Sequence, residues 1–288
     1  MTTNDKVFLI TGASTGIGRA CALYLDHLGW HVFAAVRKSA DAHALREQAS
    51  NCLTPIYLDL TEPDKITDAK EQVADAVGSA GLSGLVNNAG IARAGPVEFL
   101  PLADYRATLE VNLLGAIAVT QALIPLLRLA RGRIVNMSSV SGIIATPFMT
   151  PYNTSKFALE AFSDALRVEL RPWGMHVSVV EPGDIATPIW DKSINDIEES
   201  MQRWPQGVNE LYGPALDAMR RRAQRRTGIP PIHVARAVEH ALTAPRPKIR
   251  YRVGRDAKLV RLFALLPERL RDWIIASRLP QYGSQRPL

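Results

Sequence analysis

Seven short runs of β-branched and apolar residues punctuate this chain: KVFLIT, HVFAAV, TPIYL, SGLVNNAG, GRIVNMS, MHVSVVEPG and KIRYRVG. Between them lie segments whose apolar residues recur at helical spacing. The first carries Ile17, Ala20, Cys21, Tyr24 and Leu28 at offsets of three, four, seven and eleven, one helix face, with Gly29 as its stop. Residues 40–50 read as a second helix. A third starts near Glu62, turns Ile66, Ala69, Val73 and Val77 inward, and takes Thr61 as its cap. A long helical region runs from Ala103 to Arg131. A parallel strand can re-enter its sheet only after a crossover, so this alternation demands a parallel sheet. Strands apolar at nearly every position imply that both of its faces are covered. The expectation is a doubly wound α/β fold with a mostly parallel seven-stranded sheet, formed by residues 1–288 as a single domain.

The alternation breaks between residues 189 and 231, a stretch rich in Trp, Pro and Arg. An insertion after the sixth strand falls at the carboxyl edge of the sheet, where open α/β sheets bind ligands. We expect a substrate lid there, with Trp190 and Trp204 as apolar wall residues. A C-terminal extension begins near residue 255.

Composition narrows the function classes. The 288 residues are 47% hydrophobic and carry 34 basic against 28 acidic side chains. The densest basic run, RRRAQRR at Arg220–Arg226, reads as a solvated helix face; no reader motif or interleaved aromatics accompany it, so nucleic acid is not an expected partner. Two cysteines, Cys21 and Cys52, form no disulfide framework and fit a cytoplasmic protein. The opening MTTNDKVFLITGAS lacks the basic and apolar regions of a signal peptide, and no uninterrupted apolar run approaches the ~18 residues of a membrane span. Six histidines show no ligand spacing, so no metal site is expected.

TGASTGIG joins the first strand to the first helix. Gly12, Gly16 and Gly18 allow a tight turn and a close approach of backbone to a pyrophosphate, which the helix N-terminus then meets with free amides. The same letters, Gly12 to Gly16, spell the G-x-S-x-G elbow of serine hydrolases with Ser14 as nucleophile. That alternative lacks an earlier loop to supply an oxyanion donor, since only thirteen residues precede Ser14.

TPYNTSK, Thr150 to Lys156, raises a second chemistry. Thr150 suits an N-cap and Pro151 the first helical turn, and the helix runs on through Phe157, Ala161, Ala165 and Val168 to Pro172. Tyr152 and Lys156 then lie one turn apart on one face. Ser139 sits thirteen residues earlier, just past the fifth strand. A hydroxyl, a phenol and an ammonium thus gather near one sheet edge, beside the glycine turn.

TGASTGIG, NNAG, VNLLG, NMSS, YNTSK and PGDIAT, taken together over residues 5–190, resemble the short-chain dehydrogenase/reductase family. The resemblance implies a Rossmann sheet and an NAD(P)(H)-dependent alcohol–carbonyl oxidoreductase. It makes Tyr152 the general acid/base and has Lys156 lower the phenol's pKa and bind the nicotinamide ribose. Ser139 would hold the substrate oxygen, and Asn112 a relay water. It places the cofactor against Gly12, Ser14, Thr15, Gly16, Ile17, Gly18, Arg37, Asp59, Leu60, Asn88, Ala89, Gly90, Tyr152, Lys156, Pro182, Gly183, Ile185 and Thr187. GRIVNMSS through VVEPG, and RYRVGRDAKLVRLFALLPERLRDWIIASRL, resemble the hydroxysteroid and retinol dehydrogenase branch, which implies a lipophilic alcohol or ketone. Family resemblance also implies a homodimer or homotetramer built on the long fourth and fifth helices. The amphipathic C-terminal stretch leaves a peripheral membrane contact open. At the end of the second strand, apolar Val36 and then Arg37 stand where an NAD site usually has an acid, so NADP(H) is the expected cofactor and NAD(H) the alternative. A non-catalytic dinucleotide-binding sensor or scaffold is the competing reading.

Overall fold

The computed structural model describes residues 6–189, 204, 207–224 and 227–280. Seven strands form one sheet: β1 (Val7–Ile10), β2 (His31–Val36), β3 (Leu53–Tyr57), β4 (Gly84–Asn87), β5 (Arg133–Met137), β6 (His176–Pro182) and β7 (Arg250–Val253). Their order is β3-β2-β1-β4-β5-β6-β7 and every neighbouring pair is parallel. The order reverses between β1 and β4, which opens a crevice at the carboxyl ends of those strands.

Side chains alternate across the sheet with period two, and each face has its own core. Phe8, Ile10, Val32 and Ala34 meet helices α1 (Gly16–His27) and α8 (Ile232–Thr243) on one side. On the other, Leu9, Phe33, Leu85 and Ile134 meet α3 (Pro63–Val77), α5 (Gly115–Ala130) and α6 (Thr150–Glu169). The remaining helices are α2 (Ser39–Arg46), α4 (Leu102–Leu109), α7 (Val208–Gln224), α9 (Arg255–Phe263) and α10 (Glu268–Ala276). Leu102–Ala130 is long and apolar enough to cross a membrane, but here Val119, Leu123 and Leu127 of that stretch pack on the sheet.

Three local expectations need correction. On α1 the expected Ile17, Cys21 and Tyr24 do pack on the core, but the buried positions are Gly18, Cys21, Ala22, Leu25 and Asp26, and Leu28 is exposed. Gly18 turns inward because it packs against the Gly12 carbonyl and the Asn88 amide. Thr61 does not cap α3. Its N–H and hydroxyl both donate to Asp59 Oδ1 (3.0 and 2.7 Å), and the helix starts at Pro63 after Glu62. Thr150 is not an N-cap but the first residue of α6, and its hydroxyl accepts from Tyr105 at 3.0 Å. On α6, whose course through Phe157, Ala161, Ala165 and Val168 is as expected, those four side chains are exposed, and the inward face carries Tyr152, Lys156, Leu159, Ser163 and Leu166.

A buried polar ladder crosses the middle of the sheet. Asn87 and Asn136 are register partners on β4 and β5, and the Asn87 amide donates to Asn136 Oδ1 and Thr120 Oγ1, both at 2.9 Å. The Asn136 amide donates to Ser163 Oγ at 2.8 Å. Two strands are thereby tied to α5 and α6 behind the crevice.

Candidate active site

The glycine turn is shaped from behind. Thr11 Oγ1 accepts from the N–H groups of Asn88 and Ala89, both at 3.0 Å. The Asn88 side chain donates to the carbonyls of Thr11 and Gly12 at 3.0 and 3.1 Å. Gly12 has φ +65°, and a Cβ there would stand 2.7 Å from Ala89 Cα, so a side chain is excluded twice over. Ala89 and Gly90 continue this wall. Ala13 N–H donates to the Ala35 carbonyl at 2.9 Å, which pins the turn to β2. Ser14 and Ile17 are half-buried, with Ile17 packed on the core, and Thr15 is exposed. Thr15 precedes α1 in extended conformation without a side-chain cap bond, and the first turn holds no acid. The leading amides and the positive end of the helix dipole are thus left for an anion. These features fit a dinucleotide pyrophosphate. They do not fit the serine hydrolase elbow, since among the described residues no hydrogen bond joins Ser14 to a histidine.

At the end of β2, Val36 is buried and the Arg37 side chain is 65% exposed, with Nη1 3.9 Å from Asp59 Oδ2. Burial alone would raise the Asp59 pKa; the two bonds from Thr61 and the Arg37 charge outweigh it and hold the carboxylate below its usual value. The Leu60 side chain lies in the core against Gly115, so only its backbone is open to a nucleotide.

Tyr152 and Lys156 occupy successive turns of α6 and both are buried. Lys156 Nζ donates to the Met137 carbonyl at 2.7 Å and lies 5.7 Å from the centre of the Tyr152 ring. Burial pushes the Lys156 pKa down to about 8, against the pull of Glu160 one turn on. Burial in turn raises the Glu160 carboxyl above its ordinary value. Ser139 closes the same edge in extended backbone after β5, and its Oγ accepts from Ser141 N–H at 3.1 Å.

Asn112 lies in a π-helical turn, Glu110–Leu114, that joins α4 to α5. Its side-chain amide donates to the Ile91 carbonyl and to Ser155 Oγ, both at 2.9 Å, and its Oδ1 accepts from Ile91 N–H at 2.8 Å. Gly90 separates it from Lys156: a Cβ on Gly90 would stand 3.3 Å from Asn112 Oδ1 and 3.7 Å from Lys156 Nζ.

After β6, Gly183 N–H donates to the Val253 carbonyl at 2.9 Å, and Ile185 pairs with Ile229. Thr187 reaches across to the glycine turn, with its Cβ 3.2 Å from where a Cβ on Gly16 would stand. The segment from Pro182 therefore ends with Thr187 against the start of the first helix. Above Tyr152, Ile189 and Met219 pack on a small cluster of Ala92, Ala94 and Met149. Tyr212 of α7 donates to Glu98 Oε2 at 3.0 Å, and its ring meets Phe99 and Phe148. Trp204 packs against Gly95; Trp190 lies outside the described residues.

Sequence reasoning missed several supporting groups. Thr11 and Ser155 are small hydroxyls without a motif of their own. Glu181, 1% exposed on β6, is bracketed by Arg250 Nε at 3.3 Å and Arg252 Nε at 2.9 Å, and Arg250 also pairs with Glu160 and Asp164. Burial, with Glu160 adding to it, raises the Glu181 pKa in spite of these arginines. The charged letters inside VVEPG and RYRVG were the available signal.

A family model described as short chain dehydrogenase matches residues 6–198. Retinol dehydrogenase 5 of Mus musculus is 42% identical over 96% of this chain and 90% of its own length. The 17-beta-hydroxysteroid dehydrogenase type 6 of Bos taurus is 39% identical over the same shares. Among solved structures, a short-chain dehydrogenase from Streptomyces avermitilis superposes with TM-score 0.77 at 28% identity, covering 96% of this chain and 99% of that one.

Proposed function

The chain belongs to the short-chain dehydrogenase/reductase family and is an oxidoreductase acting on hydroxyl and carbonyl groups; from that premise we propose that it interconverts a lipophilic alcohol and its carbonyl, with Tyr152 as general acid/base and NADP(H) as preferred cofactor over NAD(H). The observation that carries the reading is the buried Lys156 ammonium, 5.7 Å from the Tyr152 ring at the edge that also bears the glycine turn. When bound, the nicotinamide cofactor supplies or accepts the hydride.

The protein handles the proton. In reduction the Tyr152 hydroxyl donates to the carbonyl oxygen; in oxidation the phenolate takes the alcohol proton. A free tyrosine has a pKa of about 10, and a nearby cation favours its phenolate. With its own pKa near 8, Lys156 keeps its charge at neutral pH. Ser139 Oγ orients the substrate oxygen towards Tyr152. The side-chain hydrogens and oxygen of Asn112 are engaged with Ile91 and Ser155, so on this reading a relay water behind Lys156 takes the backbone of the π-turn as its partner. The full set of Asn112, Ser139, Tyr152 and Lys156 favours an enzyme over a dinucleotide sensor.

The apolar group above Tyr152, together with relatives named for retinol and 17-beta-hydroxysteroids, supports a bulky lipophilic substrate. Incubation with each cofactor and a panel of retinoids, steroids, medium-chain ketones and sugars, followed by nicotinamide absorbance, tests this. Turnover of sugars alone would overturn the substrate class.

The contacts of Met219, Ile189 and Trp204 support a lid over residues 189–231. The outward apolar stripe of α6 supports a second copy of this chain as its partner. Helices α9 and α10 and the turn between them leave Leu259, Leu262, Leu265 and Trp273 exposed among Arg255, Lys258 and Arg269, and this pairing of apolar and basic groups suits an anionic lipid surface. A cytoplasmic location with peripheral lipid contact accommodates both this face and the free Cys21 and Cys52.

A further inference from the structure

The motif RYRVGRDAK contains an aspartate that reaches back into the active-site edge. Asp256 lies in the first turn of α9, three residues past β7. Its Oδ2 accepts the Asp184 N–H at 2.6 Å. The carboxylate lies directly against Gly183, so any Cβ there would collide with it. Gly254, at φ +110°, gives the chain the bend that turns Asp256 inward. Two further strings hold the same segment: Gly183 N–H on the Val253 carbonyl at 2.9 Å, and Ile229, whose N–H donates to the Asp184 carbonyl and whose carbonyl accepts from Ala186, both at 3.0 Å. Of these restraints, Asp256 alone acts through a side chain. It fixes the peptide between Gly183 and Asp184, the pivot from which Ile185 pairs with Ile229 and Thr187 reaches the glycine turn.

We propose that Asp256 is a positioning residue for the nicotinamide half of the cofactor site. It acts through the Gly183–Asp184 turn, without touching cofactor or substrate, and sets where Ile185 and Thr187 stand. The proposal rests on the reading that Pro182–Thr187 meets the nicotinamide. A charge-assisted bond of this kind is short and directional, and displacement of a positioning group by about 1 Å costs on the order of 100-fold in rate. The adenosine half of the site, at Gly12, Arg37 and Asp59, is built on β1, β2 and β3 and makes no contact with Asp256.

That separation gives the test. Binding of NADPH and of adenosine 2′,5′-bisphosphate, which lacks the nicotinamide, is measured by titration for the wild type and for Asp256→Ala, Asp256→Asn and Thr187→Ala. Turnover is followed in parallel. Asp256→Ala is expected to weaken NADPH by roughly tenfold and kcat by roughly 10- to 100-fold, with affinity for the bisphosphate unchanged. Asp256→Asn retains an oxygen that accepts the same N–H and is expected to recover most of the loss. Equal weakening of both ligands in Asp256→Ala, or wild-type values for both, overturns the proposal. If Asp256→Ala no longer binds the bisphosphate because it fails to fold, Asp256→Glu, which keeps the charge and shifts it by one methylene, must show the same split between ligands; its absence overturns the proposal as well. Thr187→Ala separates the two levels of the argument. A selective loss of NADPH binding there, without one in the Asp256 variants, leaves the cofactor reading standing and removes Asp256. No selective loss in Thr187→Ala removes the reading on which Asp256 depends.

Discussion

Replacing Arg37 by Asp is the most informative test of cofactor choice. Arg37 follows the buried Val36 at the end of β2, and its guanidinium is 3.9 Å from Asp59. A hydrogen-bonded charged pair is worth about 1.5–3 kcal/mol, and a fully exposed ion pair only about 0.2–1 kcal/mol. With 65% of the Arg37 side chain exposed, its bond to a 2′-phosphate belongs between these ranges, at about 1–2 kcal/mol. That is roughly a 5- to 30-fold preference for NADP(H). Asp59, its carboxylate held below the usual pKa beside Arg37, would oppose a bound 2′-phosphate, and Arg37 has to offset it. Arg37→Asp removes the cation and leaves two carboxylates facing the phosphate. The assay is the ratio of kcat/KM for NADP(H) over NAD(H), measured at low and high salt. The wild-type ratio should exceed one and fall at least about tenfold in the variant, with the contrast shrinking as salt screens it. A wild type that prefers NAD(H), or an unchanged ratio in Arg37→Asp, refutes the reasoning.

Three further outcomes follow from the structure. Lys156 loses its proton near pH 8 in the folded protein but at its ordinary 10.5 in the unfolded chain. The burial cost of its charge is therefore fully present below about 8 and fades as pH rises towards 10.5. Lys156→Met should abolish turnover yet raise stability in urea by on the order of 1–3 kcal/mol at neutral pH, with the gain vanishing near the upper limit; a pH-independent change would contradict this. Asn136→Ala leaves one hydrogen of the Asn87 amide without its acceptor and the Ser163 oxygen without its donor, while their bonds to Thr120 and the Leu159 carbonyl remain, so unfolding free energy should fall by about 1–3 kcal/mol; a loss below about 0.5 kcal/mol would mean the ladder is not integral to the core. Wild type should sediment with vesicles containing anionic lipid and not with neutral ones, and a Leu262→Glu, Trp273→Glu variant should stay in solution at unchanged turnover of a water-soluble substrate; equal sedimentation of both proteins would remove the lipid face.

What the sequence made legible was local. Parallel strands buried on both faces stand out as apolar runs, and Gly12, Gly16 and Gly18 mark a turn that few other residues could make. Ile66, Ala69, Val73 and Val77 all face inward as their spacing predicts, because that helix has one apolar stripe and a polar remainder. The stripe of α1 was only partly placed because Ala20, Cys21 and Ala22 are adjacent and similar, and periodicity does not choose among them; the packing of Gly18 does. On α6 apolar Phe157 and Val168 are exposed, and the inward face belongs to Tyr152, Lys156 and Ser163, of which Lys156 and Ser163 bond to β5. Caps failed where a side chain had a better partner, as Thr61 found in Asp59. The π-turn at Asn112 leaves no trace in hydrophobic spacing. The Asn87–Asn136 ladder, the arginines around Glu181 and the reach of Asp256 to Asp184 join positions far apart in the chain, so only the folded sheet brings them together.

If Tyr152 carries the proton in alcohol–carbonyl interconversion, removing its hydroxyl alone must stop the chemistry. Tyr152→Phe deletes one oxygen and leaves the ring in its buried cluster with Ala92, Ala94 and Met149. Cofactor affinity is measured by titration, and single-turnover hydride transfer to a substrate found in the screen is measured beside it. Tyr152→Phe should bind cofactor unchanged and lose roughly 100- to 10,000-fold in rate, the range for a general acid–base group. Hydride transfer within a few-fold of wild type in Tyr152→Phe would contradict this role.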